Sequence, residues 1–420
     1  MKTIVQKYGG SSVSTIEKLK NVARKVIETK RQGHGLVVVV SAMGDSTDHL
    51  VDLARQLSSD PSRRELDALL ATGEMVSTSL LAIAIQEAGE KAVALNGLQC
   101  GIFTNDVYSN ARILEVRPAR VRKHLDQGEI VVVAGFQGFT SSGDLTTLGR
   151  GGSDTTAVAL AAALNAEQCE IYTDVAGVFT ADPRVVPQAH YLTALGAAEM
   201  QELAWTGAKV LKAEAVEFAS TNGVPVVVRS TFEDGHDTWV HPQPDSTQSF
   251  RPRRAEIMGV SGRKDVIRIT FTPTDFADCG EAIFNLISKY DLILGSVGDL
   301  READVLVSNL EIPDPEAFAL ALQNWYGAGI TVSGQLGVVS LVGFGLGSRP
   351  TAFFNAFRLL RNAQIPVIRS FNTRESVSFV VPASSVNKAV VLAHETFIDS
   401  TCLKRRSAAA ITDHGKGVMA

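Results

Sequence analysis

The sequence predicts an α/β protein that gives way, toward its C-terminus, to two small α+β modules. Three observations carry that prediction. Residues up to about 230 alternate short apolar, β-branched runs with amphipathic helical segments, the order of a sheet layered between helices. A Pro-, Ser-, Asp- and Arg-rich stretch over 234–256 has no hydrophobic period and reads as a boundary. Beyond it, two units of the same strand–helix–strand–strand–helix order follow each other at a spacing of about 70 residues, which suggests ferredoxin-like modules.

The elements support this reading in chain order. Residues 3–5, 36–40, 92–95, 130–134, 170–173 and 224–228 read as strands, several of them uninterrupted apolar runs of the kind covered on both faces. After the first, Ile16, Leu19, Ala23, Val26 and Ile27 recur at helical spacing with Lys and Glu between them. Ser14 and Glu17 have the spacing of a capping box at that helix start. The first C-terminal unit comprises 266–271, 280–288, 292–297, 305–310 and 315–325. The second comprises 338–343, 351–362, 367–371, 377–381 and 385–396. The expected layout is a domain over 1–232, a linker over 233–258, modules over 259–334 and 335–400, and a disordered tail over 401–420, where apolar periodicity is lost.

Composition excludes several classes. The chain has 420 residues, 45% hydrophobic and 20% charged, an ordinary globular mix that needs no disulfide or metal staple. A net charge of −5 provides no basic field for nucleic acid or an anionic membrane. Four cysteines lie far apart without a CxxC pair, so each reads as a small buried hydrophobe. His236 and His241 read as solvated loop residues, because no carboxylate–His helix pattern accompanies them. The N-terminus reaches glycine before a signal-peptide core could form, and the purely apolar runs fall well short of the roughly 20 residues that span a bilayer. A cytoplasmic protein is expected.

The chemistry sits in five turns of the first half. Lys7-Tyr8-Gly9-Gly10-Ser11-Ser12 follows a strand and precedes a helix, so paired glycines, a helix N-terminus and a lysine could cradle a phosphate. The same residues also make an ordinary tight turn. Ser41 to Thr47 ends a second buried strand, where ligands of open α/β sheets bind. Ala71-Thr72-Gly73-Glu74 places a carboxylate in an apolar helix, either to bind a substrate ammonium or as part of a solvated face. Thr146 to Asp154 is the strongest signal. Arg150 offers a fork for a carboxylate or phosphate, Gly151 and Gly152 expose N–H donors at a helix start, and Asp154 can orient Lys7 or a Mg²⁺-bound water. Tyr172 to Arg184 could wall a nucleotide, and Lys209 stands near a later helix start. No P-loop pattern is present. Gly343-Phe344-Gly345-Leu346-Gly347-Ser348 mimics a dinucleotide fingerprint but lacks its last glycine and its acidic partner.

Taken together and in this order, these motifs resemble those of the aspartate kinases. The resemblance covers about residues 1–232 and implies an amino acid kinase-like α/β/α sandwich, with the two C-terminal modules similar to ACT regulatory domains. It implies transfer of a phosphoryl group from ATP, with Mg²⁺, to the β-carboxylate of L-aspartate. Lys7 and Asp154 match the catalytic pair. Thr47, Glu74, Phe136, Arg150 and Ser153 match the substrate pocket. Gly9, Gly10, Ser41, Gly151, Gly152, Thr173, Asp174, Phe179, Asp182, Arg184 and Lys209 match the nucleotide side. No protein-held metal site is implied. A homodimer or higher oligomer, with lysine or threonine as effector at the modules, is the implied assembly.

Charge logic agrees. A carboxylate acceptor is ionised at neutral pH, with a reference pKa of about 3.9 for Asp, so no general base is required. Catalysis reduces to positioning and neutralisation of two anions. Two departures stand out in the catalytic half. Lys212-Ala213 replaces the family's usual His-Pro, and Phe179 stands where Tyr is common. Neither is expected to touch the catalytic pair. In the modules, Thr272 to Gly280, the turn Gly347 to Ala352 and the strand Arg369 to Glu375 depart from the family's effector-site pattern, so a purely structural dimer role competes with feedback control. The alternatives are a kinase of the same fold acting on another carboxylate or a carbamate, and a non-catalytic amino-acid sensor.

Overall fold

The computed structural model describes residues 2–149, 151–208, 210–233, 235–242, 257–271, 292–299, 302–308, 315–326 and 330–399. Arg150, Lys209, the segment 272–291 (with the predicted helix 280–288) and the predicted tail lie outside them. The chain forms two compact units. One comprises Met1–Val178, Tyr191–Ala204 and Lys209–Arg251, the other Phe179–His190, Trp205–Ala208 and Pro252–Ala420.

In chain order, the first half carries β1 (Thr3–Tyr8), α1 (Ile16–Arg31), β2 (Gly35–Val40), α2 (Ser46–Leu57), α3 (Arg63–Glu87), β3 (Ala92–Leu95), β4 (Ile102–Thr104), β5 (Ile113–Val116) and α4 (Ala119–Asp126). Next come β6 (Ile130–Ala134), β7 (Gln137–Phe139), β8 (Leu145–Thr147), α5 (Gly152–Leu164), β9 (Gln168–Thr173) and β10 (Val178–Phe179). β11 (Tyr191–Leu192), β12 (Ala194–Gly196), α6 (Ala197–Trp205), α7 (Ala213–Thr221), β13 (Val226–Ser230) and β14 (Thr238–His241) complete it. Eight strands form one sheet in the order β12-β14-β13-β9-β1-β2-β6-β3. All its pairs are parallel except β13–β14. Every residue of β2 and of β6 is buried, as continuous Val-rich runs require of a sheet with helices on both sides. A second sheet, β5-β4-β7-β8, was not read from the sequence; its strands have only three or four residues each.

The structure corrects three expectations here. The cap of α1 is Thr15, whose side chain accepts the Lys18 N–H at 3.3 Å, rather than Ser14. Ser14 already has helical backbone angles at the end of a short 3₁₀ turn, while Thr15 is extended, as a cap must be. The segment 233–258 contains β14, an antiparallel neighbour of β13 with Thr238 and Val240 buried, so this part of the expected linker belongs to the sheet. The third concerns apolar length. By length and composition α3 could cross a bilayer, yet half of its most apolar window is buried inside the protein, where the helix packs on β3, β6 and β8. Cys100 and Cys169 are buried and free, as expected; the other two cysteines lie outside the described residues.

The second unit continues with β15 (Gly259–Phe271), β16 (Leu292–Asp299), β17 (Glu302–Ser308), α8 (Pro315–Tyr326), β18 (Ile330–Val342), α9 (Pro350–Asn362), β19 (Arg369–Asn372), β20 (Ser376–Pro382) and α10 (Val386–His394). Its six strands are antiparallel neighbours in the order β16-β17-β15-β18-β20-β19. The α+β character agrees with the sequence reading. The two repeats nevertheless share one sheet, because β15 and β18 are each 13 residues long. A register shift between Arg263 and Val266 divides β15. Its first part pairs with 338–342, and its second part pairs with 330–336 and with β17. The segment 179–190 joins this unit's core through Ala181 and Val186, and Thr180 meets His394 at 2.8 Å.

Candidate active site

The site begins with the alternation of β1. Gln6 and Tyr8 occupy one face of the sheet, and Lys7, between them in sequence, projects from the other, where α5 packs on β1. The Gln6 face is locked by polar contacts. Tyr8 stacks on Tyr172 with centroids 4.5 Å apart, and Gln6 Nε2 donates to Glu170 Oε2 at 2.9 Å and to Thr29 Oγ1 at 3.0 Å. Glu170 also pairs with Arg229 at 3.1 Å. These contacts fix β1 against β9, and a slip of one residue would turn Lys7 away from α5.

Lys7 Nζ lies 2.5 Å from Asp154 Oδ1, with both side chains nearly buried. The contact is ionic without being an aligned hydrogen bond. Asp154 stands in the first turn of α5, which begins at a glycine turn. Gly149 and Gly151 both adopt left-handed angles (φ +70° and +71°), and Gly151 is the N-cap. A side chain there would be strained, so the glycines let the chain turn sharply into the helix. The amides at this helix start, together with the helix dipole, favour an incoming anion.

Two further turns close on the first. The Gly44 N–H donates to Gly10 O at 3.1 Å, and a Cβ at Gly10 would come within 2.8 Å of Ala42 O. Gly9 has ordinary extended angles, and a Cβ there would stand 3.6 Å from Lys7 Nζ. Ser41 O accepts from Ser77 Oγ at 2.8 Å, which fastens this turn to α3. Ser12 Oγ and Thr231 Oγ1 are 2.6 Å apart, and the Thr231 N–H donates to Thr173 O at 2.9 Å. Thr173 Oγ1 in turn donates to Asp174 at 3.1 Å. Ser12 closes the first turn read from the sequence, whereas Thr231 was not read, since an isolated hydroxyl carries no motif.

Glu74 is 3% exposed, so the solvated-face reading of this residue is excluded. Its Oε1 accepts the Ala42 N–H at 3.1 Å, and its buried Oε2 has no partner among the described residues. Burial pushes its carboxyl up to about 7, opposed by the Ala42 N–H. Such a group suits a cationic ligand. Phe136 takes left-handed angles (φ +68°), with its N–H on Thr156 Oγ1 at 3.1 Å and its ring against Gly152. Ser153 packs so closely on Gly135 that a Cβ at Gly135 would sit 2.7 Å from Ser153 Oγ. Thr47 is half-buried in the first turn of α2.

Lys7, Gly9, Gly10, Ser41, Phe136, Gly151, Thr173 and Asp174 thus sit on turns or at neighbouring strand ends of the first unit, with Gly152, Ser153 and Asp154 in the first turn of α5 and Glu74 within α3. Phe179, Asp182 and Arg184 lie on the 179–190 segment of the second unit, where Arg184 Nη2 meets Asp182 Oδ2 at 2.8 Å. Two more residues escaped a functional reading. Asp67, fully buried on α3 two turns before Glu74, receives the N–H and hydroxyl of both Ser109 and Thr147. It clamps β8, the strand that leads into the glycine turn, and its place seven residues from Glu74 was a usable signal. The other is Lys212. Its backbone N–H donates to Asp154 Oδ2 at 3.3 Å, a contact that any residue but proline could make there, so position 212 borders the catalytic pair through its main chain.

Among the described residues, no group of three or more His, Cys, Asp or Glu side chains is placed to hold a metal ion. Such a donor set suits a metal carried by ligand phosphates rather than a protein cage.

Comparison with known proteins identifies the family. Residues 2–230 match the amino acid kinase family. An aspartokinase of Geobacillus stearothermophilus is 43% identical over 402 residues, covering 94% of this chain and 97% of its own length. The crystal structure of the aspartate kinase from Synechocystis is similar at 38% identity and a TM-score of 0.54, covering 94% of this chain and 69% of that one. E. coli aspartokinase III in complex with aspartate and ADP shares the fold at a TM-score of 0.80 and 22% identity, covering 94% of this chain and 99% of that one. With a buried Lys–Asp pair at a glycine-capped helix start and relatives of this similarity along nearly its whole length, the chain belongs to the amino acid kinase family and, within it, to the aspartokinases.

Proposed function

We propose that this chain transfers the γ-phosphoryl group of ATP to the β-carboxylate of L-aspartate, in the cytoplasm. The observation that carries the reading is Lys7 held 2.5 Å from Asp154 in the first turn of α5, beside Gly9 and Gly10. A carboxylate oxygen of aspartate attacks the γ-phosphorus, the bond to the β,γ-bridging oxygen breaks, and ADP leaves with that electron pair. The product is an acyl phosphate. No proton is moved, which accords with a site that lacks a histidine.

In this reading Asp154 aims the Lys7 ammonium at the transferring group, the Gly151 amide donates to its oxygens, and Gly152, whose own N–H is held by Gly149 O at 3.0 Å, lets them approach the helix start. The free Oε2 of Glu74 receives the substrate's α-ammonium, and Phe136, Ser153 and Thr47 shape the pocket, with Arg150 on a substrate carboxylate. Ser41, Thr173, Asp174, Phe179, Asp182, Arg184 and Lys209 serve the nucleotide. Magnesium, bound by the nucleotide's own phosphates, would supply further neutralisation of charge. The C-terminal modules are read as a dimerising, effector-responsive part, with lysine or threonine as effector.

The test is hydroxylamine trapping with a panel of amino and carboxylic acids. Aspartate-dependent hydroxamate with matching ADP release is the expected result. A panel in which aspartate is inert and another acid or a carbamate is phosphorylated overturns the substrate assignment. Amino-acid binding without any turnover overturns the enzyme.

A further inference from the structure

We infer that Lys212 is a second phosphoryl-binding cation of this site, a deepening that rests on the kinase reading above. Lys212 is the N-cap of α7, and its side chain is 14% exposed. Its stem lies along the glycine turn, where a Cβ on Gly151 would stand 3.0 Å from both its Cβ and its Cδ. Its ammonium donates to a neutral acceptor, Leu148 O, at 3.3 Å. The nearest carboxylate among the described residues is Glu214 Oε1, 3.7 Å away on a half-exposed side chain.

The contrast with Lys7 is one of charge balance. Lys7 is already matched by Asp154 at 2.5 Å. Lys212 is nearly as buried, but its counter-ion, Glu214 Oε1, stands 3.7 Å away on a half-exposed side chain, a looser match for a buried cation. Its backbone N–H holds the other oxygen of the same Asp154, so the chain positions it on the Lys7 side of the turn. Among the described residues its hydrogen bonds and ion pair go to Leu148, Asp154 and Glu214, not to Glu74, Phe136 or Ser153. An ammonium poised there, on the turn that opens α5, is placed to take a γ-phosphoryl oxygen rather than the amino acid's carboxylate. The family's usual histidine would not hold a permanent charge at that position.

The experiment compares ATP and ADP binding by calorimetry on the full chain, with turnover on aspartate measured alongside. Lys212→Met keeps the stem on Gly151 and removes the charge; Lys212→Gln also keeps a donor for Leu148 O and serves if the first variant does not fold. Loss of the cation should weaken ATP at least tenfold, leave ADP within twofold and lower kcat, and Lys212→Arg should bring ATP affinity back to within about threefold. Equal weakening of ATP and ADP would mean that Lys212 only shapes the turn, and would overturn the inference. No change in either nucleotide, or a shift confined to the KM for aspartate, would overturn it too. If the wild-type chain forms no acyl phosphate the kinase reading falls; if it does and the ATP-to-ADP ratio is unmoved, only the role of Lys212 falls.

Discussion

Two glycine-rich turns in this chain look alike on paper and behave differently. Gly149 to Gly152 leads from β8 into α5, and Gly343 to Gly347 leads from β18 toward α9. Both contain glycines with left-handed angles. The first lies against the stem of Lys212 and leads into Asp154, which holds Lys7. The second faces its own chain. The Gly345 N–H is met by the buried Glu375 Oε2 at 2.5 Å, and the Gly347 N–H by Arg374 O at 3.2 Å. A Cβ at Gly347 would lie 1.6 Å from Thr373 O. The spacing of glycines makes a turn; what faces its amides decides whether it is a site or a packed corner.

The largest effect expected from breaking this contrast comes from the first turn. Lys7→Ala or Asp154→Ala should lower kcat by about 10³-fold or more, since charge stabilisation is the main contribution in phosphoryl transfer. Hydroxamate formation at saturating aspartate measures it, and a variant retaining wild-type kcat would refute the assignment.

Next is Glu74. Its carboxyl, raised from an ordinary 4.5 to about 7, binds more protons folded than unfolded between those values. It therefore costs stability progressively as pH rises through that window, and the cost is complete above about 7. Glu74→Gln should raise the unfolding temperature at pH 8 and leave it unchanged at pH 4.5. The same variant should raise the KM for aspartate by about 10²-fold, the order expected when a buried charge partner is lost. In the wild type, kcat/KM for aspartate should fall as pH drops below about 7, and Glu74→Gln should remove that step. A variant with unchanged KM and the same pH profile would exclude Glu74 from the ammonium site.

Gly9 and Gly10 give a smaller and sharper test. Gly9→Ala fits the backbone but places a methyl 3.6 Å from Lys7 Nζ, so kcat/KM should drop about tenfold with an unchanged unfolding temperature. Gly10→Ala forces the backbone at Ala42 to move and should lose stability as well. Equal behaviour of the two would contradict the described packing. The smallest effect on activity belongs to the second turn. Glu375→Ala leaves the Gly345 N–H without its acceptor and should cost about 1–3 kcal/mol of stability in thermal unfolding, with kcat unchanged.

Much of this was legible in the sequence, for physical reasons that differ by element. The Val-rich runs of β2 and β6 predicted central strands, because only a sheet covered on both faces tolerates them. Lys7 and Asp154 were legible through their turns. Short elements were not: β4, β5, β7 and β8 are too brief for a period, and Thr238–His241 was hidden in a polar segment. The shared sheet of the second unit was invisible, since pairing between distant halves of β15 and β18 leaves no local pattern. Asp67 and Lys212 escaped because their roles rest on tertiary contacts, although Asp67 shares a helix face with Glu74.

The polar lattice behind β1 has a further consequence. The cation at the centre of the proposed reaction is aimed by the register of a strand fifth in a sheet of eight, fastened on its far side by Gln6, Tyr8, Tyr172 and Glu170. The backbone that carries Lys7 is therefore held as part of the core. Any motion in a catalytic cycle falls to the turns around it, so the centre acts as a fixed anvil against which the reactants are brought.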